Sequence, residues 1–98
     1  MDCIFTQRAE DDLAAIGDRI AEGTPARAVS FVQALRARCE KIAHHPKAFM
    51  VVDTLDGLPV RKARFAPYRI YYAHLEQEGA IAILHIRHDA MQDPDFSA

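Results

Sequence analysis

Cysteine is scarce in this chain, with Cys3 and Cys39 the only two among 98 residues. Neither has a second Cys or a His at finger-type spacing, which excludes a structural zinc of that kind. No apolar run approaches the roughly 20 residues of a membrane-spanning helix. The N-terminal Met1-Asp2-Cys3-Ile4-Phe5 lacks the positive region and long apolar core of a secretory signal. The expected compartment is the cytoplasm, where a disulfide would be unusual. Both thiols therefore read as reduced and buried, Cys3 on a strand and Cys39 on the apolar face of a helix. No repeat, linker or low-complexity tract divides the chain. Its length suffices for one modest core, so a single domain over 1–98 is expected.

Acid is missing from one stretch. Residues 57–75 hold Arg61, Lys62, Arg64 and Arg69 and no Asp or Glu. They also hold Phe65, Tyr68, Tyr71 and Tyr72, half of the aromatic residues. Residues 1–22 show the opposite bias, with Asp2, Glu10, Asp11, Asp12, Asp18 and Glu22 against Arg8 and Arg19. The formal net charge of −2 hides this asymmetry. Opposite charge at two ends of one small domain suggests different partners for each.

Local pattern predicts the elements. Residues 2–6 read as a short strand, after which Thr6 caps a helix by accepting from first-turn N–H groups. Leu13, Ile16 and Ile20 give that helix an apolar stripe, and Gly23 suits the position after its end. Thr24-Pro25 opens a second helix whose stripe is Ala28, Phe31, Val32, Leu35, Cys39 and Ile42. It must stop before Pro46. Phe49–Val52 reads as a strand and Asp56-Gly57 as a turn. Val60–Phe65 places Arg61, Ala63 and Phe65 on one face and Val60, Lys62 and Arg64 on the other. Tyr68–Leu75 places Ile70 and Tyr72 opposite Tyr71, Ala73 and Leu75. Ala80–Ile86 is apolar on both faces and is expected to be a central strand. The tail from Met91 is polar and is expected to be irregular or a short helical end. The order is β-α-α-β-β-β(-β), an α+β domain with a helical hairpin on one face of a mostly antiparallel sheet.

The order and spacing of several pieces carry a family resemblance. These are Ala9-Glu10-Asp11-Asp12-Leu13 with Ile16, Pro25-Ala26-Arg27-Ala28 with Phe31 and Leu35, and Cys39-Glu40-Lys41-Ile42-Ala43 with Pro46. Val60-Arg61-Lys62, Pro67-Tyr68-Arg69-Ile70-Tyr71-Tyr72 and Ile83-Leu84-His85-Ile86-Arg87-His88 complete the set. Together they resemble the RelE and ParE toxins of bacterial type II toxin–antitoxin modules, over nearly the whole chain. The fold implied agrees with the one read from periodicity. The Pro-Tyr-Arg-Ile-Tyr-Tyr segment and the ending His-Ile-Arg-His-Asp-Ala-Met look more like ParE.

The superfamily runs different activities on one scaffold, so the fold does not decide between them. A ParE-like toxin implies inhibition of DNA gyrase without catalysis, neutralisation by a ParD-like antitoxin, and a toxin–antitoxin hetero-oligomer. On that reading Arg61, Lys62, Arg64 and Arg69 engage the antitoxin, and Arg87, His88, Asp89 and Met91 engage the target. A RelE-like toxin implies a ribosome-dependent mRNA endonuclease. A third reading is a degenerate member that folds and binds its antitoxin but is no longer toxic. RNA cleavage needs a base, an acid and cations around the phosphate, for which His85, His88, Arg61, Arg64 and Arg87 are the candidates. RelE-like nucleases usually end on a Tyr or a His–Tyr pair. Here no Tyr follows Tyr72, and Phe96 cannot transfer a proton. His85, within an apolar strand, also reads simply as a hydrogen-bonded core residue.

Neither a metal nor an organic cofactor is called for. His44 and His45 point about 100° apart on a helix end, and Asp89, Asp93 and Asp95 lack calcium-loop spacing. Four cations on a net-acidic domain are few for strong direct nucleic-acid binding, and no membrane association is expected.

Overall fold

The computed structural model describes residues 1–96. A strand, β1 (Asp2–Phe5), leads into helices α1 (Gln7–Ala21) and α2 (Pro25–His44). Four strands follow: β2 (Met50–Leu55), β3 (Leu58–Phe65), β4 (Tyr68–Leu75) and β5 (Ala80–His88). They form one sheet in the order β1-β5-β4-β3-β2. β1 runs parallel to β5, and all other pairs are antiparallel. Both helices lie on one face. No described helix is long and apolar enough to cross a membrane.

The N-terminal junction shows how local chemistry seats the helix. Thr6 Oγ1 accepts from Ala9 N at 3.2 Å, satisfying a first-turn donor. The same hydroxyl donates to Ile83 O at 2.8 Å, so the cap of α1 is also tied to β5. Gly23 follows the C-cap Glu22 as expected, although its φ is not in the left-handed region. Ile20 O accepts instead from both Gly23 N and Thr24 N, at 3.1 and 3.0 Å. Thr24 and Pro25 open α2 at the N-cap and N1 positions. The helices approach closely at Gly17, where an added Cβ would meet Val32 Cγ2 at 3.3 Å.

The main core lies between the helices and the sheet. Leu13, Leu35, Cys39, Ile42, Ile70, Tyr72, Ile81 and Ile83 are its largest fully buried members. Each Leu or Ile buried this way contributes about 1.5–3 kcal/mol by leaving water. Tyr72 keeps its hydroxyl satisfied by donating to Pro46 O at 2.7 Å, which pins the end of α2 against β4.

One expectation is corrected. β2 and β3 are longer at the turn, because Asp56 (φ 50°) and Gly57 (φ 83°) form a two-residue turn with Leu55 paired to Leu58. Positive φ at both turn positions matches the strand twist and lets the ladder zip to the turn. β5 is an interior strand as expected, flanked by β1 and β4. Simple alternation fails along β5. Tyr71 pairs with His85 and Tyr72 with Ile83, so Leu84 is an extra residue that rephases the strand. The tail contains no helix up to residue 96. It is anchored across the sheet face opposite the helices.

Candidate partner-binding face

Alternation along β3 and β4 sorts the cations. Lys62 pairs with Tyr71 and Arg64 with Arg69, while Arg69 pairs with Arg87 on β5. These side chains share the back face of the sheet. Arg61 pairs with Tyr72 and belongs to the helix-covered side. There it donates to Phe49 O at 2.7 Å and Lys47 O at 3.3 Å, holding the loop after α2. The four cations expected to form one strip are thus divided three to one.

The three on the back face are met by the chain's own tail. Asp89 Oδ2 accepts from Arg64 Nε at 3.0 Å and Nη2 at 2.5 Å. Asp93 accepts from Arg69 Nη1 at 2.5 Å and from the Tyr71 hydroxyl, and Lys62 Nζ stands 3.5 Å away. Arg69 also donates to His88 O at 3.0 Å and to Met91 O. The Phe96 ring packs on Tyr71 with centroids 5.6 Å apart, and Phe96 N donates to Asp53 Oδ2 at 2.9 Å. Arg69 is the hub, with its side chain only 13% exposed.

The titrating groups reflect these contacts. The Arg64 hydrogen bond holds the Asp89 carboxyl below its ordinary range. The Tyr71 hydrogen bond, with Lys62 and Arg69 nearby, does the same for Asp93 against the opposing effect of burial. Burial, then the bond to Asp93, raises the Tyr71 phenol well above its usual value. All of these shifts favour the closed arrangement at neutral pH.

At the end of the sheet, β5 extends past β1 and exposes an edge. Asp12 of α1 covers it, accepting from Ile86 N at 2.9 Å and contacting His85 Nδ1 at 2.5 Å. Arg8 Nη2 lies 3.1 Å from His85 Nε2. A guanidinium can only donate, so Nε2 accepts and the ring proton sits on Nδ1, facing Asp12. Both nitrogens of this buried histidine are therefore engaged. Asp12 stands in for the missing ladder neighbour, a role absent from the sequence reading. Only its place early in α1 was visible there.

Three of the five nuclease candidates share a cavity and two stand apart. His85, Arg87 and His88 line one cavity of about 280 Å³ with Arg8 and Arg19. Arg61 lines another near Lys47 and Glu76. Arg64 lines a third with Arg38 and Asp89. Of the target-contacting candidates, Arg87, His88 and Met91 border the first cavity, and Met91 is half exposed. Asp89 is occupied by Arg64. His88 Nδ1 accepts from Ala90 N at 3.0 Å, and its ring meets the Tyr68 edge at 5.4 Å. Among the described residues no group of three or more His, Cys, Asp or Glu is placed to hold a metal. A separate apolar groove of about 560 Å³ runs along the outer side of the hairpin, past Leu13, Gly17, Ala21, Val29 and Val32.

Five strands with a helical hairpin on one face and cations on the other define an α+β domain of the RelE/ParE type. A solved structure described as the chromosomal ParDE toxin–antitoxin system from P. aeruginosa matches this fold with a TM-score of 0.73. The match covers 90% of this chain and 95% of that one, at 22% sequence identity. No curated protein sequence matches. The family model for the ParE toxin of type II toxin–antitoxin systems, parDE, matches residues 3–93, and the chain belongs to that family.

Proposed function

We propose that this toxin inhibits DNA gyrase in the cytoplasm and is held inactive by direct binding of a ParD-like antitoxin in a hetero-oligomer. The observation that carries the antitoxin part is the gathering of Lys62, Arg64 and Arg69 on one sheet face, where acidic groups already seat. An antitoxin segment rich in Asp and Glu fits that face by charge. The apolar hairpin groove offers room for a hydrophobic helix of the same partner. Arg61, on the other side of the sheet, contributes through the loop it holds. Target contact is assigned to Arg87, His88, Asp89 and Met91 at the end of β5.

Gyrase is favoured over messenger RNA because His85 has both ring nitrogens engaged and Arg61 and Arg64 stand apart from it. Cleavage requires base, acid and cations within reach of one phosphate. His88 and Arg87 share the cavity of His85, but Arg61 and Arg64 line others, and both His85 nitrogens are taken. A paired assay tests the reading. Purified protein is added to gyrase-driven supercoiling and, separately, to translating ribosomes. Loss of supercoiling with intact messenger is the expected result; site-specific messenger cuts would establish the endonuclease instead.

A further inference from the structure

The tail does more than neutralise charge on the back face. Arg69 receives two of its main-chain carbonyls, His88 O and Met91 O, and Asp53 receives its Phe96 N–H. Asp89 and Asp93 sit against guanidinium and ammonium groups, and the Phe96 ring rests on Tyr71. One backbone donor, two backbone acceptors, two carboxylates and an aromatic ring are all met, with Arg69 serving both carbonyls and Asp93, and Tyr71 serving Asp93 and the ring. Such recognition describes a peptide-binding site. A nucleic-acid backbone has no N–H for Asp53, and that carboxylate repels phosphate.

We infer that the back face is a docking site for an extended acidic peptide segment of a partner, and that residues 89–96 are a tethered copy of that ligand. The pattern recognised is an acid, a second acid four residues on, and an aromatic ring three residues beyond it. The inference rests on the reading of this face as the antitoxin-contacting one and adds its regulation. A tethered ligand acts at an effective concentration in roughly the millimolar range. An incoming segment must displace the tail, and binding is therefore coupled to release of a segment that includes Asp89 and Met91, two of the residues assigned to target contact.

The chain has no tryptophan, so Phe96→Trp in the full-length protein places one emitter against Tyr71. The probe is a fluorescein-labelled peptide, Asp-Ala-Met-Gln-Asp-Pro-Asp-Phe, titrated by anisotropy. Asp89→Asn with Asp93→Asn is expected to red-shift the tryptophan emission and to tighten probe binding by about tenfold or more. Phe96→Ala, which leaves both carboxylates, is expected to tighten it by a smaller factor. A probe with both of the matching acids changed to Asn is expected not to bind. Unchanged probe affinity in both variants, each shown folded by circular dichroism, overturns the inference. Preferential displacement of the probe by a single-stranded oligonucleotide also overturns it, assigning the face to nucleic acid. Failure of the antitoxin reading is seen separately: Lys62→Glu with Arg69→Glu would then leave neutralisation of toxicity by the co-expressed antitoxin unaltered, whatever the probe does.

Discussion

The two faces of the sheet are held by different physics. On the helix side, Leu13, Leu35, Ile42, Ile70, Tyr72 and Ile83 form a dry core with almost no exposed surface. On the back, a single irregular segment is held by Arg64, Arg69, Lys62 and Tyr71 acting on two carboxylates. The first kind of contact scales with apolar area and ignores salt. The second depends on ionisation and screening, and partly exposed ion pairs contribute little each. One face therefore maintains the fold, while the other can exchange its occupant without unfolding the domain.

The largest effects should come from the core. Leu35→Ala or Ile83→Ala is expected to cost about 2–5 kcal/mol, read as a lower denaturation midpoint with the slope preserved. If back-face changes cost as much, the contrast between the faces is wrong. Next comes the edge clamp. Asp12→Ala leaves Ile86 N and His85 without their acceptor and should cost about 1–3 kcal/mol. Hydrogen exchange should locate the loss at residues 84–88, and uniform loss across the sheet would count against the clamp.

Arg69→Ala should destabilise the domain by only about 1 kcal/mol while releasing the tail, because its carboxylate partners Asp89 and Asp93 are both partly exposed. Rapid exchange of the amides of Met91 and Phe96 would show release; retained protection would remove Arg69 from its place as hub. The tail should also respond to pH in a defined window. The Asp89 and Asp93 carboxyls are depressed in the folded state, so their contribution is present above the ordinary value near 4 and is lost as pH falls through the folded values. Tyr71 is raised, so its contribution is intact below about pH 10 and is lost as pH rises through its folded value. The Phe96→Trp emission should stay blue between those limits and shift red on acidification before the domain melts. The smallest effect is expected for Lys47→Ala. Loss of the exposed Lys47–Glu76 pair should leave the melting temperature within the scatter of replicate thermal melts.

Much of this architecture is legible residue by residue. The Thr6 cap, the Thr24-Pro25 start, the stop before Pro46 and the Asp56-Gly57 turn are local events with local signatures. The three-and-four spacing of the helices identifies most of the buried stripe. The Leu84 bulge has no comparable signature, since it is defined only by the register of β4 against β5. The Asp12 clamp joins residues more than seventy positions apart. An acid in the first half of a helix looks the same whether it favours the dipole or covers a strand edge.

The cationic ribbon and the acids of the tail were both visible as composition. Their pairing was not, because charge has no periodicity and a carboxylate can meet any cation the chain brings near it. The sequence by itself determined which residues could leave water and which backbone conformations were permitted at each turn, because those preferences are short-ranged. Only the tertiary structure decided that Lys62, Arg64 and Arg69 share a face while Arg61 does not, and that the tail already occupies it. Those outcomes depend on strand register and on the closure of a long loop, where a shift of one residue reverses the face of every side chain.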